Sequence, residues 1–157
     1  MIDTPEITSV PAQPIAVIRL TVPCADMPKV MGPGISELMA AVAAQGIAVT
    51  GPWFTHHLRR PTDSFDFEIG VPVASSVQPA GRVAPSQWPA MTVARTVLHG
   101  NYDGLAGAWG EFGAWVDGQG RQCAADFWEV YSKGPESSSN PADWRTQLNR
   151  PLLDRAA

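Results

Sequence analysis

The sequence predicts an α+β domain of two pseudo-symmetric β-α-β-β modules, an antiparallel sheet with both helices on one side and a central ligand groove. Three observations carry this reading: an internal repeat, a glycine-ended amphipathic helix in each copy, and strand patterns flanking each helix. The repeat appears when the sequence slides by 74 positions, which sets Met31 over Leu105. Glu37 then meets Glu111, Gln45 meets Gln119, Gly46 meets Gly120, and Trp53-Phe54 meets Phe127-Trp128.

Spacing defines the helices. Met31, Ile35, Leu38 and Val42 fall at i, i+4, i+7 and i+11, as one helical face requires, and Leu105, Trp109, Phe112 and Val116 repeat the pattern. Gly46 and Gly120 follow, where helices commonly end in the left-handed conformation. Strands are expected over 15–22 and 91–98 before the helices, and over 49–58 and 123–132 after them. A further strand at 65–73 alternates Phe65, Phe67, Ile69 and Val71 with Asp66 and Glu68. Its weaker counterpart is 145–152, preceded by Asn140-Pro141 and Asp143, which echo Pro61 and Asp63. Residues 74–89, rich in Ser, Gly and Pro, read as a linker between module one (15–73) and module two (90–153) of a single domain spanning 5–153.

At 157 residues the chain can bury a core without disulfides or metal. A net charge of -4, spread rather than blocked, argues against direct nucleic-acid binding and makes mimicry of nucleic acid weak. Cys24 and Cys123 lie far apart and read as buried or half-buried thiols. The acidic start M-I-D-T-P-E-I-T lacks a signal-peptide pattern, and no run approaches the roughly 20 apolar residues of a membrane span. The expectation is a cytoplasmic protein with no membrane contact, no cofactor and no metal.

The run A-R-T-V-L-H-G-N-Y-D-G-L-A-G-A-W-G-E-F at 94–112, F-W-E-V-Y at 127–131 and N-P-A-D-W-R-T-Q-L-N-R-P-L at 140–152 resemble the GyrI-like family. This effector-binding domain is also fused to the C-terminus of many bacterial transcription activators, and the resemblance covers roughly residues 5–153. Asn101-Tyr102 departs from the family, where proline more often precedes the tyrosine. The resemblance implies the two-module fold and multidrug recognition, in an apolar, aromatic groove with one buried glutamate that attracts planar cations. Glu129 matches that glutamate. Some free-standing members resemble hydrolases that open the cyclopropane of DNA-alkylating natural products, and this chain is expected to be free-standing.

The residues support the same site. Period-2 alternation puts Phe127, Glu129 and Tyr131 on one strand face and Trp128 and Val130 on the other. If the second pair packs under the helix, Glu129 shares a trough with two aromatics; the plainer alternative is an exposed carboxylate. A carboxylate there is costly to desolvate alone, so it serves as a cation anchor or as a base that activates water. Trp53, Thr55 and His57 hold the equivalent face of the first half, lining the opposite wall or forming a simple cross-strand cluster. Trp53 and Tyr131 are suited to sandwich a flat ring. His56 and His57, adjacent on a strand, point opposite ways and cannot share a metal.

Three further aromatics complete the candidates. Tyr102 begins the second helix, and the equivalent tyrosine of relatives lies near the pocket. Trp88 is a lid over the groove or a surface anchor. Trp115 lies off the helix stripe and caps it or reaches the trough's end. Trp109 and Phe112 are read as core, and Trp144 as packing the C-terminal turn. Two functions follow: binding of planar, hydrophobic, often cationic compounds, or hydrolysis of a cyclopropane with Glu129 directing water. A protein partner, as in relatives that inhibit a topoisomerase, is a third.

Overall fold

The computed structural model describes residues 2–59, 63–134 and 137–153. In chain order its elements are β1 (Glu6–Val10), β2 (Gln13–Pro23), α1 (Met27–Ala44), β3 (Phe54–His57), β4 (Ser64–Pro72), β5 (Val83–Trp88), β6 (Met91–His99), α2 (Leu105–Gly118), β7 (Phe127–Lys133) and β8 (Arg145–Pro151). They fall into two compact units, Pro11–Ala90 and Met1–Val10 with Met91–Ala157.

In the first unit the strands run β3-β4-β2-β5, all antiparallel. Ala16, Ile18 and Leu20 of β2 stand opposite Val71, Ile69 and Phe67 of β4, and these six residues form the floor on which Leu38 and Val42 of α1 pack. Gly46 takes φ 67° just past α1. Ile47 donates to the Val42 carbonyl and Gly46 to the Ala43 carbonyl, so the last turn's carbonyls are satisfied in a Schellman arrangement.

The second unit repeats the plan with strand order β1-β6-β8-β7. Ala94 and Leu98 of β6 and Leu148 of β8 meet Ala108, Phe112 and Val116 of α2. Gly120 again closes the helix, with φ 68°. Isolated bridges Val49–Val73 and Cys123–Leu152 flank the corresponding strands of the two units. The repeat read from the sequence is therefore a repeat of topology.

The segment read as a linker carries structure. Residues 83–88 are β5, paired with β2 from Ile18↔Val83 to Gln13↔Trp88. Pro85 and four exposed positions mask any alternation there, yet an edge strand tolerates both. The N-terminal residues, outside the bounds of module one, form β1 on the edge of the second unit. Of the echo before the last strands, Asn140 caps the turn Pro141–Asp143 through its side chain, while Pro61 lies outside the described residues. Cys24 and Cys123 are both half-buried thiols.

Candidate functional site

The second unit gathers a chain of aromatic rings around one carboxylate. Glu129, on β7, stands opposite Leu148, a core residue under α2, so its side chain rises on the helix side of the sheet. Phe127 and Tyr131 share that face by alternation, whereas Trp128 and Val130 stand opposite Asn149 and Gln147 on the other. The alternation is the expected one. Its orientation is the reverse of that in which Trp128 and Val130 pack under the helix, because the Leu148 row belongs to the α2 core.

Glu129 is only 8% exposed. Trp109 of α2 donates its indole N–H to Oε2 at 2.6 Å, and Tyr131 donates its hydroxyl to Oε1 at 2.6 Å. Each carboxylate oxygen thus accepts a short hydrogen bond from a neutral donor, which offsets part of the cost of desolvation. The Trp109 ring meets Phe127 edge-on at 4.8 Å between centroids. Tyr102, in the turn before α2, stands edge-on to Tyr131 at 5.8 Å and tilts over Trp144 at 5.1 Å. Six residues, Phe127, Trp109, Glu129, Tyr131, Tyr102 and Trp144, therefore form a continuous wall.

Trp109 is the member that reading for core conceals. It satisfies the helix stripe, and it packs against the α2 core while half-buried. The telling signal is chemical: a tryptophan at the edge of a stripe brings an N–H that needs an acceptor. Trp115 goes elsewhere. On a helical wheel it falls on the other side of Phe112 from Trp109, and it packs, partly buried, against the α2 core.

The first-unit residues form their own cluster beside α1. Thr55 and His57 are buried, with Thr55 Oγ1 and His57 Nε2 3.1 Å apart, and His57 stacks on Phe67 at 5.6 Å. Trp53 packs half-buried against the same core. His56 turns to the opposite face and meets Glu68 at 2.9 Å, so adjacent histidines do diverge. Trp88 also lies on that opposite face, 5.4 Å from the Phe54 ring, since Phe54 stands across from Gly70 and away from α1. The structure thus separates Trp88 from Trp53, Thr55 and His57. Among the described residues no group of three His, Cys, Asp or Glu could hold a metal ion, and no helix is long and apolar enough to cross a membrane.

No curated protein matches the chain. Among solved structures it is similar to the C-terminal domain of EcmrR, with TM-score 0.86, 22% identity, and coverage of 97% of this chain and 98% of that one. It spans 58% of the EcmrR chain in a complex with DNA, at TM-score 0.85. A hydrolase from Listeria innocua (TM-score 0.66, 13% identity, covering 95% and 91%) shares the fold. So does SAV2435 bound to tetraphenylphosphonium (TM-score 0.64, 8% identity, covering 96% and 94%). The family model for the GyrI-like small molecule binding domain matches residues 3–152, nearly the whole chain, and the protein belongs to that family.

Proposed function

We propose that the chain binds planar, hydrophobic, often cationic small molecules on the helix side of its second unit, with Glu129 as the charged anchor. One observation carries the proposal: a carboxylate 8% exposed, held on both oxygens by Trp109 and Tyr131 among edge-on and tilted rings. These neutral donors fix where the carboxylate sits and bring no charge of their own. A cationic ligand gains Coulomb energy in a poorly screened place, and its flat body gains about 0.5–1.5 kcal/mol per well-set ring contact. SAV2435, which shares the fold, is seen with the aromatic cation tetraphenylphosphonium, and that supports the hydrophobic, cationic part of the ligand class. Trp53, Thr55 and His57 are proposed as ligand contacts of the first unit, and Tyr102 as one beside Tyr131. Sensing of such a compound or its sequestration both use this binding step.

Tetraphenylphosphonium and the neutral triphenylphosphine oxide test the anchor by quenching of tryptophan fluorescence. Glu129→Gln is expected to weaken the cation about tenfold or more and the neutral compound less than about threefold. Equal losses would remove Glu129 from the anchor role.

The likeness to a protein described as a hydrolase supports a second reading. There Glu129 orients water toward a strained cyclopropane carbon, and the ring opens with net addition of one water. Mass spectrometry of a cyclopropane-bearing alkylator incubated with the protein reads this directly. A product heavier by one water, absent with Glu129→Gln, establishes turnover; unchanged substrate leaves the binding role alone.

A further inference from the structure

Arg150 is a half-buried charged residue on the strand face that otherwise supplies the core. Leu148 and Leu152, two residues to either side, belong to the apolar cluster under α2, as does Ala94, its partner across β6. Alternation therefore brings the Arg150 side chain out on the helix side, the side of Glu129. Its Nε is sealed from solvent and has no hydrogen-bond acceptor, and among the described residues no carboxylate pairs with it. A buried donor left unmet costs more than an ordinary hydrogen bond returns, so such a group marks a place where an acceptor belongs.

The register says where that place is. One step beyond the Trp128–Asn149 pair, Phe127 faces Arg150 across the strands. Glu129, opposite Leu148, then lies on the diagonal from Arg150, a separation of about 7–8 Å. The two opposite charges thus flank one ring, Phe127, against which Trp109 stands.

We infer that the site takes amphoteric planar ligands: an aromatic plane with a positive centre at Glu129 and an anionic oxygen, carboxylate or phenolate, at Arg150. The inference rests on the ligand site proposed above and narrows its chemistry. A guanidinium this close opposes a bare cation, and its fork returns a charge-assisted, bidentate contact to a ligand oxygen. A simple cation satisfies one end of the site. A zwitterion satisfies both.

Rhodamine B, a zwitterion at neutral pH, and its ethyl ester, a cation with the same ring system, separate the two cases by fluorescence anisotropy. The wild-type chain is expected to bind rhodamine B about tenfold more tightly than the ester, the weight of one charge-assisted hydrogen bond. Arg150→Gln should cut the affinity for rhodamine B about tenfold while leaving or improving that for the ester, and Arg150→Lys should restore part of the preference. A wild-type protein that holds the ester as tightly as the zwitterion overturns the inference, as does an Arg150→Gln protein, folded by circular dichroism, that shifts both dyes equally or neither. Should Arg150→Gln fail to fold, the wild-type ratio and Arg150→Lys decide. Absence of saturable binding for both dyes would sink the ligand site itself, and the inference with it.

Discussion

Thr55 and His57 in the first unit occupy the places that Glu129 and Tyr131 hold in the second. In both, the residue at i meets the side chain at i+2 along one strand: hydroxyl to imidazole at 3.1 Å, carboxylate to phenol at 2.6 Å. The strand behind them differs in step. Ile69 stands opposite Thr55 and Leu148 opposite Glu129, so Val71, fully buried, corresponds to Arg150. The helix above differs too, because the repeat sets Ile35 where Trp109 stands. One scaffold therefore carries a hydroxyl–imidazole version and a carboxylate–phenol version of the same arrangement. The carboxylate occurs where the helix supplies an N–H to meet it.

The scaffold itself should respond alike in both units. Leu38 and Phe112 are equivalent in the repeat and both are fully buried. Phe112→Ala is expected to cost about 3–5 kcal/mol and Leu38→Ala about 2–5, through lost burial and the cavity left behind. Urea unfolding measures both, with the slope reporting whether the unfolding remains a single transition. A loss below about 1 kcal/mol at either site would show that its helix is not held by this contact and would break the equivalence.

Trp109→Phe sharpens the contrast at the site. The ring survives against Phe127, but Glu129 loses the donor to Oε2. Leaving a buried acceptor partly unmet is expected to cost about 1–3 kcal/mol. Ile35→Val, the comparable trim in the first unit, should cost about 0.5–1.5 kcal/mol, a packing loss alone. Unfolding of the two variants with and without Glu129→Gln distinguishes them. The Trp109 effect should shrink in the neutral background and the Ile35 effect should not. Equal Trp109→Phe losses in both backgrounds would mean that the indole serves as filler.

Much of this organisation is legible in the order of the amino acids. Helix faces, their terminal glycines and the paired strands follow from periodicity, because burial under a helix forces residues two apart on a strand and three or four apart on a helix to agree. The edge strands β1 and β5 escape that logic, since nothing covers their outer positions and so nothing forces alternation there. Glu129 stands out as a charge among rings. Trp109 does not, since a residue that both packs and donates has the pattern of one that only packs. Arg150 is readable in principle: a charge between Leu148 and Leu152 breaks the core side of the strand. The side on which the carboxylate emerges depends on cross-strand register, and one strand's sequence does not contain it.

The reverse faces extend the comparison to weaker forces. In the second unit Arg95 is half-buried and donates to the neutral Asn149 at 2.6 Å; burial pulls its guanidinium below the usual value, against the field of Glu6. In the first unit the cation is the largely exposed Arg19, paired with Asp66 at 3.2 Å. Hydrogen bonds from Arg19 hold the Asp66 carboxyl below its ordinary value. The folded chain therefore binds that proton less readily than the unfolded chain. The resulting stability is fully present above the ordinary aspartate pKa of about 3.9 and is lost as pH falls through the lower folded value. Exposure and salt screening limit it to below about 1 kcal/mol. Asp66→Asn should thus lower Tm by about 1–3 °C at pH 7, with the gap closing as pH falls through the lowered folded value and narrowing in high salt. A Tm gap that stays constant with pH and salt would mean that Asp66 acts through its shape, and the pair would drop out of the electrostatics of this face.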